Sequence, residues 1–150
     1  MFTFFILMLL GLREGDRLPD FTTVSWQGDT IVAESLVGKV IILDFWATWC
    51  PPCRMELPGF VELYDEYNKK GLEIIGFCLD EDTVGLGKFL RRFKINYPIV
   101  LDDSVVHMFG RIKFIPTTFV VDKKGVIRRK FIGYRRKEEF EDTFLELLAE

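Results

Sequence analysis

The 150 residues hold few of the groups from which most sites are built. There is one histidine, His107, and there are three cysteines. Three cysteines cannot staple a disulfide framework, and their odd number leaves one unpaired. With one histidine and no second cysteine pair, a four-ligand structural zinc is out of reach, and no metal or other cofactor is expected. Charge of neither sign dominates. Twenty Lys and Arg against 23 Asp and Glu leave a net charge of −3, which excludes the broad positive field that would hold nucleic acid. No internal repeat or low-complexity stretch appears. The longest apolar stretch, Phe2–Leu12, would reach about 16 Å as a helix, against about 30 Å of membrane hydrocarbon.

Hydrophobic residues make up 49% of the chain, aromatics 15% and charged residues 29%. That is the composition of one folded domain, able to bury roughly 68–70% of its unfolded surface. The expected division is a domain over residues 15–150 preceded by an apolar segment, residues 1–14. The segment is broken only by Thr3 and Gly11 and is followed by Arg13, without a small-residue cleavage pattern. It reads as the remnant of a signal or membrane anchor. The alternative is a strand or helix packed on the domain.

Thr22–Trp26 and Thr30–Val32, around Gln27-Gly28-Asp29, read as an N-terminal β-hairpin. Lys39–Trp46 is a nearly continuous apolar run, expected of a strand covered on both faces. A helix is expected from Pro51 to Lys70, with Leu57, Phe60, Val61 and Tyr64 as its apolar stripe, Pro58 kinking it and Gly71 ending it. Then come a strand over Leu72–Leu79, a helix over Thr83–Phe93, a strand over Pro98–Leu101 and a short helix over Ser104–Phe109. Thr118–Val121 and Val126–Ile132 form a hairpin through Asp122-Lys123-Lys124-Gly125, and Lys137–Leu148 is a closing amphipathic helix. Alternation followed by a hairpin predicts an α/β fold: a central mixed sheet flanked by helices on both faces.

The chemistry concentrates at Cys50-Pro51-Pro52-Cys53, where a buried strand turns into a helix. Residues three apart on a helix have Cβ atoms about 5–6 Å apart, close enough for a disulfide. The free N–H groups and dipole of the first turn stabilise a thiolate on Cys50. Proline suits the start of a helix. Cys53 lies one turn deeper and is expected to be the more shielded. Cys50 is therefore the attacking thiol and Cys53 the resolving one. Cys78, in the apolar run EIIGFCLD, reads as an inert core thiol.

Phe45-Trp46-Ala47-Thr48-Trp49-Cys50-Pro51-Pro52-Cys53 resembles the active-site signature of the thioredoxin superfamily. Gly15-x-x-x-Pro19-x-Phe21, Gly28, Leu36 and Gly38-Lys39 resemble the N-terminal hairpin of its membrane-anchored TlpA-like and ResA-like branch. Ile115-Pro116-Thr117-Thr118 resembles the family's cis-proline loop, and Gly133 the glycine after the last strand. The resemblance implies a thioredoxin-like fold and Cys50 as nucleophile. It also implies a cis Ile115–Pro116 bond facing the cysteines and helping to bind the substrate chain, where the sequence alone would favour trans. Pro51-Pro52 departs from the Gly-Pro of ordinary thioredoxin and leaves fewer backbone N–H donors for the thiolate.

Asp44 interrupts IILDFW. An unpaired carboxylate inside a sheet has its pKa raised by desolvation, which makes it a proton acceptor near neutral pH; a solvated strand edge is the alternative. The resemblance agrees, since thioredoxins carry a buried acid here. Glu56 follows Cys53 by three residues, on the same helical face, and matches an acid near the ResA-like active site; a solvated helix glutamate is the alternative. Trp49 is assigned to the docking surface and Trp46 to packing beneath it. His107 reads as structural, and Arg128-Arg129-Lys130 and Arg135-Arg136-Lys137 as solvated charge.

The leading reading is a thiol–disulfide oxidoreductase exchanging electrons with protein disulfides or dithiols and with a redox partner protein. It is expected to be a monomer outside the cytoplasm, periplasmic or membrane-anchored. The resemblance implies reduction, for example of apocytochrome c haem-site cysteines. Two alternatives share the fold. A thiol peroxidase places a threonine three residues before its cysteine, whereas Thr48 lies two before Cys50. A Sco-type copper chaperone needs C-x-x-x-C and a positioned histidine, and the spacing here is one residue short.

Overall fold

A computed structural model describes Ile6 and residues 10–150. The anchor expectation for the apolar N-terminal segment falls mostly on residues outside those described. Among the described residues no helix is long and apolar enough to cross a membrane.

Strands β1 (Thr22–Val24) and β2 (Thr30–Val32) form a small antiparallel hairpin. A mixed sheet has the order β5-β4-β3-β6-β7, with β3 Val40–Trp46, β4 Leu72–Cys78, β5 Ile99–Val100, β6 Thr117–Val121 and β7 Ile127–Ile132. β3 runs parallel to β4, and β4 to β5, while β6 is antiparallel to β3 and β7 antiparallel to β6. From β1 onward the α-helices are α1 (Pro51–Tyr67), α2 (Leu86–Arg92), α3 (Asp103–Met108) and α4 (Lys137–Leu148).

All seven residues of β3 are buried, because both faces of the sheet are covered. Val40, Ile42 and Trp46 pack with α1, α2 and α4 through Leu57, Phe60, Leu90, Phe140 and Phe144. Ile41, Leu43 and Phe45 pack with α3, the N-terminal hairpin and Leu12. On that second face Phe45 stacks on Phe77 at 4.9 Å, and Phe109 meets Phe45 edge-on at 5.0 Å. Each such ring contributes about 1.5–3 kcal/mol by leaving water. Leu12 donates its N–H to the Phe109 carbonyl at 3.0 Å and is buried.

Several boundaries differ from the sequence expectation. β1 stops at Val24 because the Trp26 N–H leaves the hairpin for the Ile99 carbonyl, 2.6 Å away. α1 ends at Tyr67, and a 3-10 turn over Asn68–Lys70 leads to Gly71 at φ 103°. Its buried residues are Cys53, Glu56, Leu57, Phe60 and Leu63, with Val61 and Tyr64 only partly covered. Pro58 lies inside the helix without ending it. α2 begins at Leu86, not Thr83, since Gly85 takes φ 82° before its first turn. α4 spans the expected residues.

Candidate active site

The parallel pairing of β3 and β4 brings Trp46 opposite Cys78, so the loops leaving the carboxyl ends of these strands lie together. Asp80 exploits this. It accepts the Thr48 N–H at 2.8 Å and also the Thr48 hydroxyl, clamping the turn before Cys50. Sequence reasoning missed Asp80; its place just beyond the carboxyl end of a central strand was the available signal.

Cys50 caps α1 with extended backbone, φ −94° and ψ 107°. Pro51 and Pro52 fill the first two helical positions, where their missing N–H groups would have had no helical partner. The first free donor is the Cys53 N–H, which reaches Cys50 Sγ at 3.3 Å. The two prolines thus leave a single close backbone donor, aimed at Cys50 Sγ. Cys50 and Cys53 are joined as a disulfide, and Cys50 is 3% exposed where Cys53 is fully buried. The order of shielding is the expected one.

The Ile115–Pro116 bond is cis. Cys50 Sγ lies 3.8 Å from the Ile115 carbonyl oxygen, so the loop faces the disulfide. The Gly133 N–H donates to the Pro116 carbonyl and the Thr117 hydroxyl to the Phe114 carbonyl, at 2.8 and 2.6 Å. Trp49 is 66% exposed beside Cys50, with Pro51 also at the surface, Pro52 half-buried and Met55 exposed. Trp46 is fully buried beneath them and stacks on Phe89.

Both carboxylates are buried. Asp44 is fully enclosed, with one oxygen 3.5 Å from the Thr118 hydroxyl and the other without a partner. Burial, then the charge of Glu56, push its pKa well above the ordinary carboxylate range, against the Thr118 hydroxyl. Glu56 faces inward and accepts the Arg135 N–H at 2.8 Å on Oε2, while Oε1 is unpartnered. Burial raises it to about 7, opposed by that N–H and by the Arg135 charge. A surface pocket of about 380 Å³, bordered by Met55, Gly59, Tyr134 and Lys137, opens onto Glu56.

Other expectations are also answered. Cys78 is buried and its thiol is pushed up to about 12, chiefly by desolvation. His107 is exposed on α3, on the sheet face opposite the cysteines, so the apolar helix around it does not bury it. Arg128 pairs with Asp122 and Glu150, Arg129 with Glu146, Arg135 with Glu139 and Lys137 with Glu62. The basic clusters are therefore largely neutralised within the chain. The Thr48 hydroxyl is committed to Asp80.

A strand-to-helix disulfide facing a cis-proline loop on this sheet defines a thioredoxin-like thiol–disulfide oxidoreductase, whose substrates are protein dithiols and disulfides. Residues 15–130 match the AhpC/TSA family. The thiol-disulfide oxidoreductase ResA of Bacillus thuringiensis is 34% identical over 132 residues, 87% of this chain and 76% of that protein. A thiol:disulfide interchange protein of the thioredoxin family from Chlorobium tepidum superposes with a TM-score of 0.83 at 29% identity, covering 91% of this chain and 99% of that one. StoA from Bacillus subtilis gives 0.73 at 28%, covering 89% and 98%. The chain belongs to the AhpC/TSA family, within the thioredoxin superfamily, and to its ResA-like thiol-disulfide oxidoreductases.

Proposed function

We propose that the protein is a reductant of exposed disulfides in other proteins, and that it works as a monomer outside the cytoplasm, tethered through its N-terminal apolar segment. The substrate class is a disulfide between closely spaced cysteines in an extended chain, such as the haem-site pair of an apocytochrome c. The kinship with ResA supports this direction and substrate. The observation that carries the mechanism is Glu56, buried one turn past Cys53 with a pKa raised to about 7, where a general base is most effective at neutral pH.

The substrate chain lies along Ile115 and Pro116, between the cis-proline loop and Trp49. The Cys50 thiolate, held by the Cys53 N–H, attacks one substrate sulfur. A Cys50–substrate disulfide forms, and the other substrate sulfur leaves as a thiolate. Cys53 then loses its proton to the Asp44–Glu56 pair and attacks Cys50 Sγ. The Cys50–Cys53 disulfide closes and the second substrate sulfur departs, so that two electrons have passed to the substrate. A partner protein's dithiol restores the reduced form.

Equilibration with glutathione buffers tests the direction. A potential below about −220 mV is expected of a reductant, and a value between about −180 and −120 mV would make the protein an oxidant.

A further inference from the structure

Among the described residues, four buried side-chain polar atoms have no hydrogen-bond partner: Asp44 Oδ2, Glu56 Oε1, Trp46 Nε1 and the Tyr97 hydroxyl. They are not scattered. Asp44 pairs in register with Gly76, and Gly76 with Ile99. A Cβ built on Gly76 would meet Trp46 Nε1 at 2.9 Å and Tyr97 Cε2 at 3.2 Å. The missing side chain of Gly76 thus makes room for the indole N–H and the tyrosine ring beside Asp44. Glu56 enters the same layer from α1, and Tyr97 packs edge-on against Phe60 and Tyr64 of that helix. The set holds two acceptors on carboxyl groups and two neutral donors. Buried groups of this kind are costly unless they serve one another.

We propose that Tyr97 is a positioning residue for the Asp44–Glu56 pair: its buried hydroxyl, with the Trp46 N–H beside it, is recruited as a hydrogen-bond donor when the pair becomes charged. The proposal rests on the proton role given above to the two acids. One acid must carry its charge before it can take the Cys53 proton; the donors are already in the layer to hold that charge, and solvent need not enter. Electrostatics agrees, because both Asp44 and Glu56 raise the tyrosine's own pKa, after desolvation. The other polar or titratable groups facing the pair are the Thr118 hydroxyl on β6, Cys53 and Tyr64 on α1, Arg135 before α4 and Glu139 on α4. Tyr97 and Trp46 are the two buried donors among them that are committed to nothing else.

The test is a carboxyl-carbon NMR titration of the full oxidised chain, parent against Tyr97→Phe. Loss of a donor that favours the charged pair is expected to raise the titration midpoint of Asp44 or Glu56 by about one pH unit, the lower end of what a hydrogen bond to a charged group contributes. The pH profile of mixed-disulfide resolution is expected to move upward with it. Midpoints that stay in place or fall would overturn the proposal. If Tyr97→Phe does not fold, Trp46→Phe removes the other donor and is read in the same way. If Asp44→Asn and Glu56→Gln leave resolution unchanged, the proton role fails, while the NMR midpoints still decide whether Tyr97 is coupled to the acids.

Discussion

Glu56→Gln is the perturbation whose magnitude the structure sets most directly. Burial raises the Glu56 carboxyl from 4.5 to about 7. A carboxyl raised in the native state holds its proton more tightly there than in the unfolded chain. Its contribution to stability is therefore fully present below about pH 4.5 and is lost as pH rises through about 7. At about 1.4 kcal/mol per unit over about 2.5 units, the loss above neutrality is about 3 kcal/mol. Glutamine keeps an oxygen for the Arg135 N–H and removes the titration. The variant should match the parent near pH 4 to within about 1 kcal/mol and exceed it by about 3 kcal/mol at pH 8. Urea unfolding of the oxidised proteins between pH 4 and 8 measures this. Two stability curves running parallel across that range would refute the reasoning, since Glu56 would then titrate alike in the folded and unfolded chains.

Other perturbations have equally defined outcomes. Asp44→Asn should slow resolution by Cys53 about 10²-fold or more, with capture by Cys50 changed less, in single-turnover reduction of a model disulfide; equal slowing of both steps would remove Asp44 from proton transfer. Gly76→Ala should cost about 1–3 kcal/mol in denaturant unfolding, because its methyl would sit 2.8 Å from Ile99 Cδ1 and 2.9 Å from Trp46 Nε1. Trp49→Ala should leave stability within about 0.5 kcal/mol and slow exchange with protein disulfides more than with a small disulfide. Cys78, buried with its thiol pushed up to about 12, should alkylate only after unfolding, as read by peptide mass.

The residues that announced themselves in the sequence were those whose setting is local. The apolar run KVIILDFW read as a doubly covered strand, which favoured burial of Asp44 within it over a solvated strand edge. Cys-x-x-Cys at a strand-to-helix turn carried its own chemistry, and the residues around it carried the family resemblance that pointed to the cis bond before Pro116. What stayed hidden depends on partners far along the chain. Glu56 looked equally suited to solvent, because the N–H that holds it belongs to Arg135, 79 residues away. Asp80 and Tyr97 had no motif around them. Their meaning comes from the juxtaposition of β3 with β4 and from a glycine on the neighbouring strand. The late start of α2 has a similar origin. Asp80 turns back to hold Thr48, and Asp82 accepts the Val84 N–H, so the chain between β4 and α2 is occupied by turns rather than helix.

The division of labour between the cysteines is tested most directly by trapping. Reduced Cys53→Ser is mixed with a peptide disulfide and the product is weighed by intact-protein mass spectrometry, beside Cys50→Ser under the same conditions. The account predicts a long-lived adduct of one substrate chain on Cys50 in Cys53→Ser, and little adduct in Cys50→Ser, where Cys53 is fully buried and Cys78 lies in the core. A stable adduct on Cys53 in Cys50→Ser, with none on Cys50 in the other variant, would contradict it.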